Sequence, residues 1–154
     1  MNAESRTRTL LGKSLVRGLR DLAILCLVLF GIAGRVDWPA AWLVIVAAVG
    51  VMYRCAAANH FLSGRSRIQS ERGHTVVQYG PYRFVRHPLY ASRLVLTIGL
   101  PLTLGSWIAL VPAVLNALLL VLRTSLEDRL LTTGLPGYGE YAKHVPERLV
   151  PGLW

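Results

Sequence analysis

Histidines, carboxylates and tyrosines gather in two stretches of this chain. His74, Tyr79, Tyr82, Phe84, His87 and Tyr90 lie in the first; Glu127, Asp128, Tyr138, Tyr141 and His144 lie in the second. Such side chains offer titratable groups, hydrogen bonds of both polarities and aromatic faces that attract cations. Brought to one face of a protein they suggest a ligand pocket. The competing reading is an interfacial aromatic belt with solvated charges, and composition alone leaves the two level. The two cysteines, Cys26 and Cys55, each sit inside an apolar stretch, so neither points to a metal cluster or an oxidising compartment.

Hydropathy determines which elements must position these groups. The chain has 154 residues, of which 53% are hydrophobic and 16% charged, where a soluble domain carries about a quarter charged residues. Disorder, collagen-like repetition and a disulfide scaffold are excluded, and an all-α integral membrane protein is indicated. A hydrocarbon core about 30 Å thick needs roughly 20 apolar residues in a helix. Four transmembrane helices are predicted, at residues 22–38, 38–58, 89–104 and 107–122, paired as two hairpins. Pro101 and Pro112 should distort the helix ends beside the turn at Gly105 and Ser106. Trp38, Trp42, Trp107 and Trp154 read as interface anchors, and Asn116 as a hydrogen-bonding residue between helices. Residues 1–34 could instead form a cleaved secretory signal, but the basic region is long and no clear A-x-A site follows.

Basic residues orient the spans. Arg6, Arg8, Lys13, Arg17 and Arg20 precede the first span, and Arg54, Arg65, Arg67, Arg72, Arg83 and Arg86 fill the middle segment. Arg123, Arg129, Lys143 and Arg148 follow the fourth, whereas Arg35 falls in the opposite loops. A multi-pass protein with both termini and the middle loop in the cytoplasm satisfies the positive-inside rule. Most of these arginines read as orientation and lipid contact. The net charge of +9 therefore follows topology, and no nucleic-acid partner is expected.

The chain reads as a single membrane domain, 1–154: a basic segment and first hairpin at 1–58, and a catalytic core with the second hairpin at 59–154. Two segments of about 30 residues, one between the hairpins and one after Leu122, exceed what simple connections need. Thr75-Val76-Val77 has strand-like or extended character, and Gly80-Pro81-Tyr82 reads as a turn. These segments would form a cytoplasmic pocket.

The stretch from Gly80 to Tyr90 meets the pattern G-x-Y-x-x-x-R-H-P-x-Y at every fixed position. Arg123, the acid pair Glu127 and Asp128, and Leu130 and Leu131 follow the last two spans. Tyr138, Tyr141, Val145 and Pro146 then make a Y-x-x-Y-x-x-x-V-P element. In this order the three motifs resemble the isoprenylcysteine carboxyl methyltransferase and phospholipid methyltransferase family, over roughly residues 74–151. Two departures stand out: Asp128 where a second glutamate is commoner, and Gly134-Leu135-Pro136-Gly137 where the family has F-G-E-E.

The resemblance implies a membrane methyltransferase dependent on S-adenosylmethionine and built without a Rossmann domain. It implies cofactor contacts at His74, Thr75, Val76 and Val77, then at Tyr82, His87, Pro88, Leu89 and Tyr90, and at the acid Glu127. Arg123 matches a residue associated with substrate, and no catalytic residue or metal ligand is assigned. The substrate would be a lipophilic small molecule or lipid reaching the site from the bilayer and accepting the methyl group on a carboxylate oxygen or an amine nitrogen. Tyrosine faces suit a sulfonium at about 0.5–2 kcal/mol each. His87 could donate to the cofactor carboxylate, and His87 or His74 could help an amine acceptor lose its proton. Two rivals come from other classes. A membrane reductase using a nicotinamide cofactor would want a further basic pair for a second phosphate, and a four-helix transporter would want an intramembrane acid, which the predicted spans lack.

Overall fold

Residues 38–62 and 68–154 are described by the structure, a computed structural model. The first predicted span up to residue 37, the basic residues before it, Cys26, Arg35, Arg65 and Arg67 lie outside the described residues. From Pro39 to Trp154 the chain forms one compact unit.

Helix α1, Pro39–Ala58, opens on a proline, which fits the first turn because no intrahelical N–H bond is needed there. Its buried residues Ala41, Ile45, Ala48, Cys55 and Ala58 recur at helical spacing and form one stripe. Most are small, so the next helix packs closely. That helix, α2, Pro88–Thr103, runs antiparallel to α1. At one end a Cβ added to Gly99 would lie 3.0 Å from Val44 Cγ1. At the other, Cys55 and Ala58 cluster with Tyr82, and Leu89 packs against them.

A tight turn leads into α3, Trp107–Gly134. Gly105 takes the left-handed conformation at φ 65°, which a side chain would disfavour. Ser106 caps α3 by accepting a hydrogen bond from the Ala109 N–H at 3.3 Å. α3 returns antiparallel along α2, so that Tyr90 near the start of α2 clusters with Leu120 and Leu149. A short helix α4, Tyr138–His144, follows Gly137 at φ 82°. Leu135, Tyr138, Tyr141 and Val145 form its core, with Ile68, Val76 and Leu131 against them. The chain then passes the start of α2, where the Arg86 and His87 N–H groups donate to the Glu147 and Arg148 carbonyls, both at 2.9 Å.

Among the described residues there are helices and no strand. α1 and α3 are each long and apolar enough to cross a membrane. α2 has 16 residues, a reach of about 24 Å at 1.5 Å per residue. Leu43, Trp107 and Ile108 are 71%, 79% and 86% exposed, a surface suited to lipid rather than water.

Several expectations gain structural detail. The fourth predicted span stops at Leu122, but α3 continues unbroken to Gly134, because the charged residues beyond Leu122 are good helix formers with partners on neighbouring elements. Both helices also run through Pro101 and Pro112. Residues 74–78 belong to neither a helix nor a strand. Asn116 lies on the exposed side of α3. Trp154 is partly buried against the Tyr90 cluster, beneath the Arg148 guanidinium at 5.0 Å.

Candidate active site

Where α1 ends and α2 begins, the chain forms a cavity with a narrow interior of about 90 Å³, widening to about 810 Å³ with its open mouth included. The segment before the Gly80–Arg83 turn contributes His74, Thr75, Val76 and Val77 to the lining. The turn at Gly80–Arg83 supplies Tyr82, the start of α2 supplies His87, Pro88, Leu89 and Tyr90, and α3 supplies Glu127. All ten residues expected to contact a cofactor therefore line one cavity. Asn59, Phe61, Tyr138 and Tyr141 join them.

Hydrogen bonds fix these walls. The Tyr82 hydroxyl accepts from Asn59 Nδ2 at 3.2 Å, and the Tyr141 hydroxyl donates to the Tyr82 carbonyl at 2.6 Å. Burial pushes both phenols well above their ordinary range, so they remain protonated. His74 stacks on Phe61 with ring centroids 4.5 Å apart, and its Nδ1 accepts from the Gln69 N–H at 3.3 Å.

Beneath the cavity lies a buried cluster around Asp128. Arg86 grips the carboxylate through Nε at 2.9 Å and Nη2 at 3.1 Å. Arg148 Nε donates to the same group at 3.0 Å, the Tyr138 hydroxyl at 2.8 Å and His87 Nε2 at 3.2 Å. A carboxylate receiving this many donors is acceptor-only, hence ionised. Burial first, and then the charge of Asp128, drive the Tyr138 phenol far above its ordinary value. Arg86 Nη1 also donates to the carbonyls of Ala142, Val145 and Pro146, at 3.3, 3.0 and 3.1 Å. One planar guanidinium thus joins α3 to the end of α4, satisfying carbonyls the helix leaves open.

A second chain of contacts leads away from the cavity. The Tyr90 hydroxyl donates to Glu127 Oε2 at 2.8 Å and accepts from Arg123 Nε at 2.9 Å. The Arg123 guanidinium also lies 5.6 Å from the Tyr90 ring centroid. Arg123 and Glu127 are one helical turn apart on α3, and Tyr90 bridges them.

Sequence reasoning did not single out Asn59, Phe61 or the structural role of Arg86. Arg86 had read as an orienting charge; it is buried and fully engaged. Asp128, which could have been part of a solvated face, is also buried. The available signals were the position of Arg86 inside the R-H-P motif and Asp128 in the acid pair. The suggestion that His87 binds a cofactor carboxylate meets an obstacle: its Nε2 is held by Asp128. His144 is exposed, with Nδ1 donating to the Glu140 carbonyl, and Tyr79 is 59% exposed.

The decisive match is with the isoprenylcysteine carboxyl methyltransferase (ICMT) family, over residues 40–133. This chain belongs to the ICMT family. Membership of this family agrees with the membrane-compatible helices. Among similar proteins is the cobalt-zinc-cadmium resistance protein CzcN of Cupriavidus metallidurans, 33% identical over 127 residues, covering 73% of this chain and 53% of that protein. The nickel-cobalt-cadmium resistance protein NccN of Alcaligenes xylosoxydans xylosoxydans is 30% identical over 127 residues, covering 75% and 55%. The chain spans about half the length of these relatives.

Proposed function

We propose that this protein moves a methyl group from S-adenosylmethionine to a lipophilic acceptor in the membrane, with the site on the cytoplasmic side. The observation carrying this reading is that the ten residues which the family resemblance implies would touch such a cofactor line one cavity. The donor set suits the group: tyrosines for a sulfonium, Glu127 for an ammonium or ribose hydroxyls, and Leu130, Leu131 and Leu135 for an apolar ring. When bound, S-adenosylmethionine would supply an electrophilic methyl on a positively charged sulfur.

The chain's own residues would orient and desolvate the reactants, which can suffice for in-line displacement. Tyr90 holds Glu127 and Arg123 in fixed relation. Arg123 lies at the end of the apolar part of α3, where a lipophilic anion would meet a guanidinium first. A carboxylate acceptor is favoured over an amine because it needs no base. The ring nitrogens of His87 and His74 described above are already engaged, by Asp128 and by the Gln69 N–H. The relatives' names speak of metal resistance; for this chain we take that as a setting for membrane methylation. Among the described residues, no three histidines, cysteines or acids gather as a metal site.

Calorimetry of the detergent-purified protein tests the cofactor class. Binding of S-adenosylhomocysteine without binding of NADPH is expected. Binding of NADPH alone would replace the methyltransferase reading with a reductase.

A further inference from the structure

A second and larger cavity, of about 950 Å³, lies in a groove between α1 and α2. Its sides are apolar, with Val46 and Val51 from α1 facing Leu94 and Val95 from α2. Small residues give it depth: Gly50 opens into space, since an added Cβ there would meet no atom within 4 Å. Ser92 on the buried side is satisfied, its hydroxyl donating to the Leu89 carbonyl at 2.8 Å. The groove therefore presents hydrocarbon along its length.

Its other lining is cationic. Arg54, one turn before the end of α1, and Arg83, in the turn that packs against that end, both line the groove and are exposed. Among the described residues neither pairs with a carboxylate. Arg83 lies 4.5 Å from the Phe84 ring centroid, at an aromatic side chain that is itself exposed. An apolar trough beside two unneutralised guanidinium groups is complementary to one kind of bilayer molecule.

We propose that this groove binds an anionic phospholipid, its acyl chain along Gly50 and Val95 and its phosphate received by Arg54 and Arg83. The site is separate from the acceptor's approach, because Arg123 does not line the groove. Pro88 lines both cavities, so a bound lipid would press on the residue that starts α2 and walls the first cavity. The proposal needs the chain to sit in a bilayer, and is independent of methyl transfer.

Native mass spectrometry of the protein in a neutral detergent tests it, using phosphatidylglycerol and phosphatidylcholine with identical acyl chains. One phosphatidylglycerol should bind in preference to phosphatidylcholine. The variant carrying R54Q and R83Q, both at exposed positions, should lose roughly fivefold in affinity per arginine, the scale of a basic residue at an anionic membrane surface. Gly50→Phe should block binding with both arginines intact, and its melting temperature serves as the folding control. Inorganic phosphate at the same concentration should not compete. Equal binding of the two lipids, unchanged affinity in the double-arginine variant, or displacement by inorganic phosphate would each overturn the proposal.

Discussion

Replacing Asp128 with asparagine removes the negative charge against which Arg86, Arg148, His87 and Tyr138 are packed. Asparagine keeps the shape but offers one acceptor oxygen where the carboxylate offers two, and turns an amide N–H₂ toward other donors. The Arg86 and Asp128 side chains are each 7% exposed, so breaking this pair should cost the about 3–5 kcal/mol of an uncompensated buried charge. Arg148 is 35% exposed at its side chain, so solvent screens its contact and Arg148→Ala should cost about 1 kcal/mol or less. Asp128→Glu keeps the charge and restores the family's commoner residue; the extra methylene should cost about 1–3 kcal/mol. Thermal and denaturant unfolding of the purified variants would establish the order, with limited proteolysis reporting release of the segment from α4 onward. Wild-type unfolding of Asp128→Asn, or an Arg148→Ala cost as large as that of Asp128→Asn, would refute the reasoning.

Glu127→Ala should weaken S-adenosylhomocysteine binding by about 1.5–3 kcal/mol, the scale of a hydrogen bond to a charged group; wild-type affinity by calorimetry would remove Glu127 from the site. Arg123→Ala should leave cofactor affinity within about threefold and lower turnover at least tenfold, about 1.4 kcal/mol or more. Arg123→Lys should not restore that activity, because an ammonium cannot reproduce a planar guanidinium fork; full activity of the lysine variant would make Arg123 a boundary charge. A single cysteine reporter at Ser70 in a cysteine-free protein should resist labelling from outside sealed cells, and outside labelling would reverse the proposed orientation.

The helices were legible because long apolar runs have few ways to satisfy their backbone in lipid. Hydropathy marked where charges begin, at Arg123, but it could not mark where α3 ends. Backbone hydrogen bonding continues through Arg123, Glu127 and Asp128 to Gly134, and those charges find partners within the protein. The ten cavity residues were legible through the family resemblance rather than through physics alone: nothing local in Thr75 or Val76 says that they face a pocket. The Asp128 cluster was the least accessible part. Arg86 and Asp128 are 42 positions apart, and an arginine destined for burial has the same side chain as one that contacts lipid headgroups. Only the fold distinguishes them, by bringing the end of α4 beneath the start of α2. Gln69 illustrates the same limit: it is 2% exposed, and its side-chain amide donates to the Phe61 carbonyl.

The central claim is most directly tested by following the methyl group itself. Protein reconstituted in vesicles with a total lipid extract would be incubated with S-adenosylmethionine labelled in its transferable methyl, and the organic phase counted. We predict label in a lipophilic product in an amount that depends on Arg123 and Glu127, released as methanol by mild base because the favoured acceptor is a carboxylate. Base-stable label would move the acceptor to nitrogen. No label above that obtained with the Glu127→Ala protein, from a wild-type protein shown to be folded, would contradict the account.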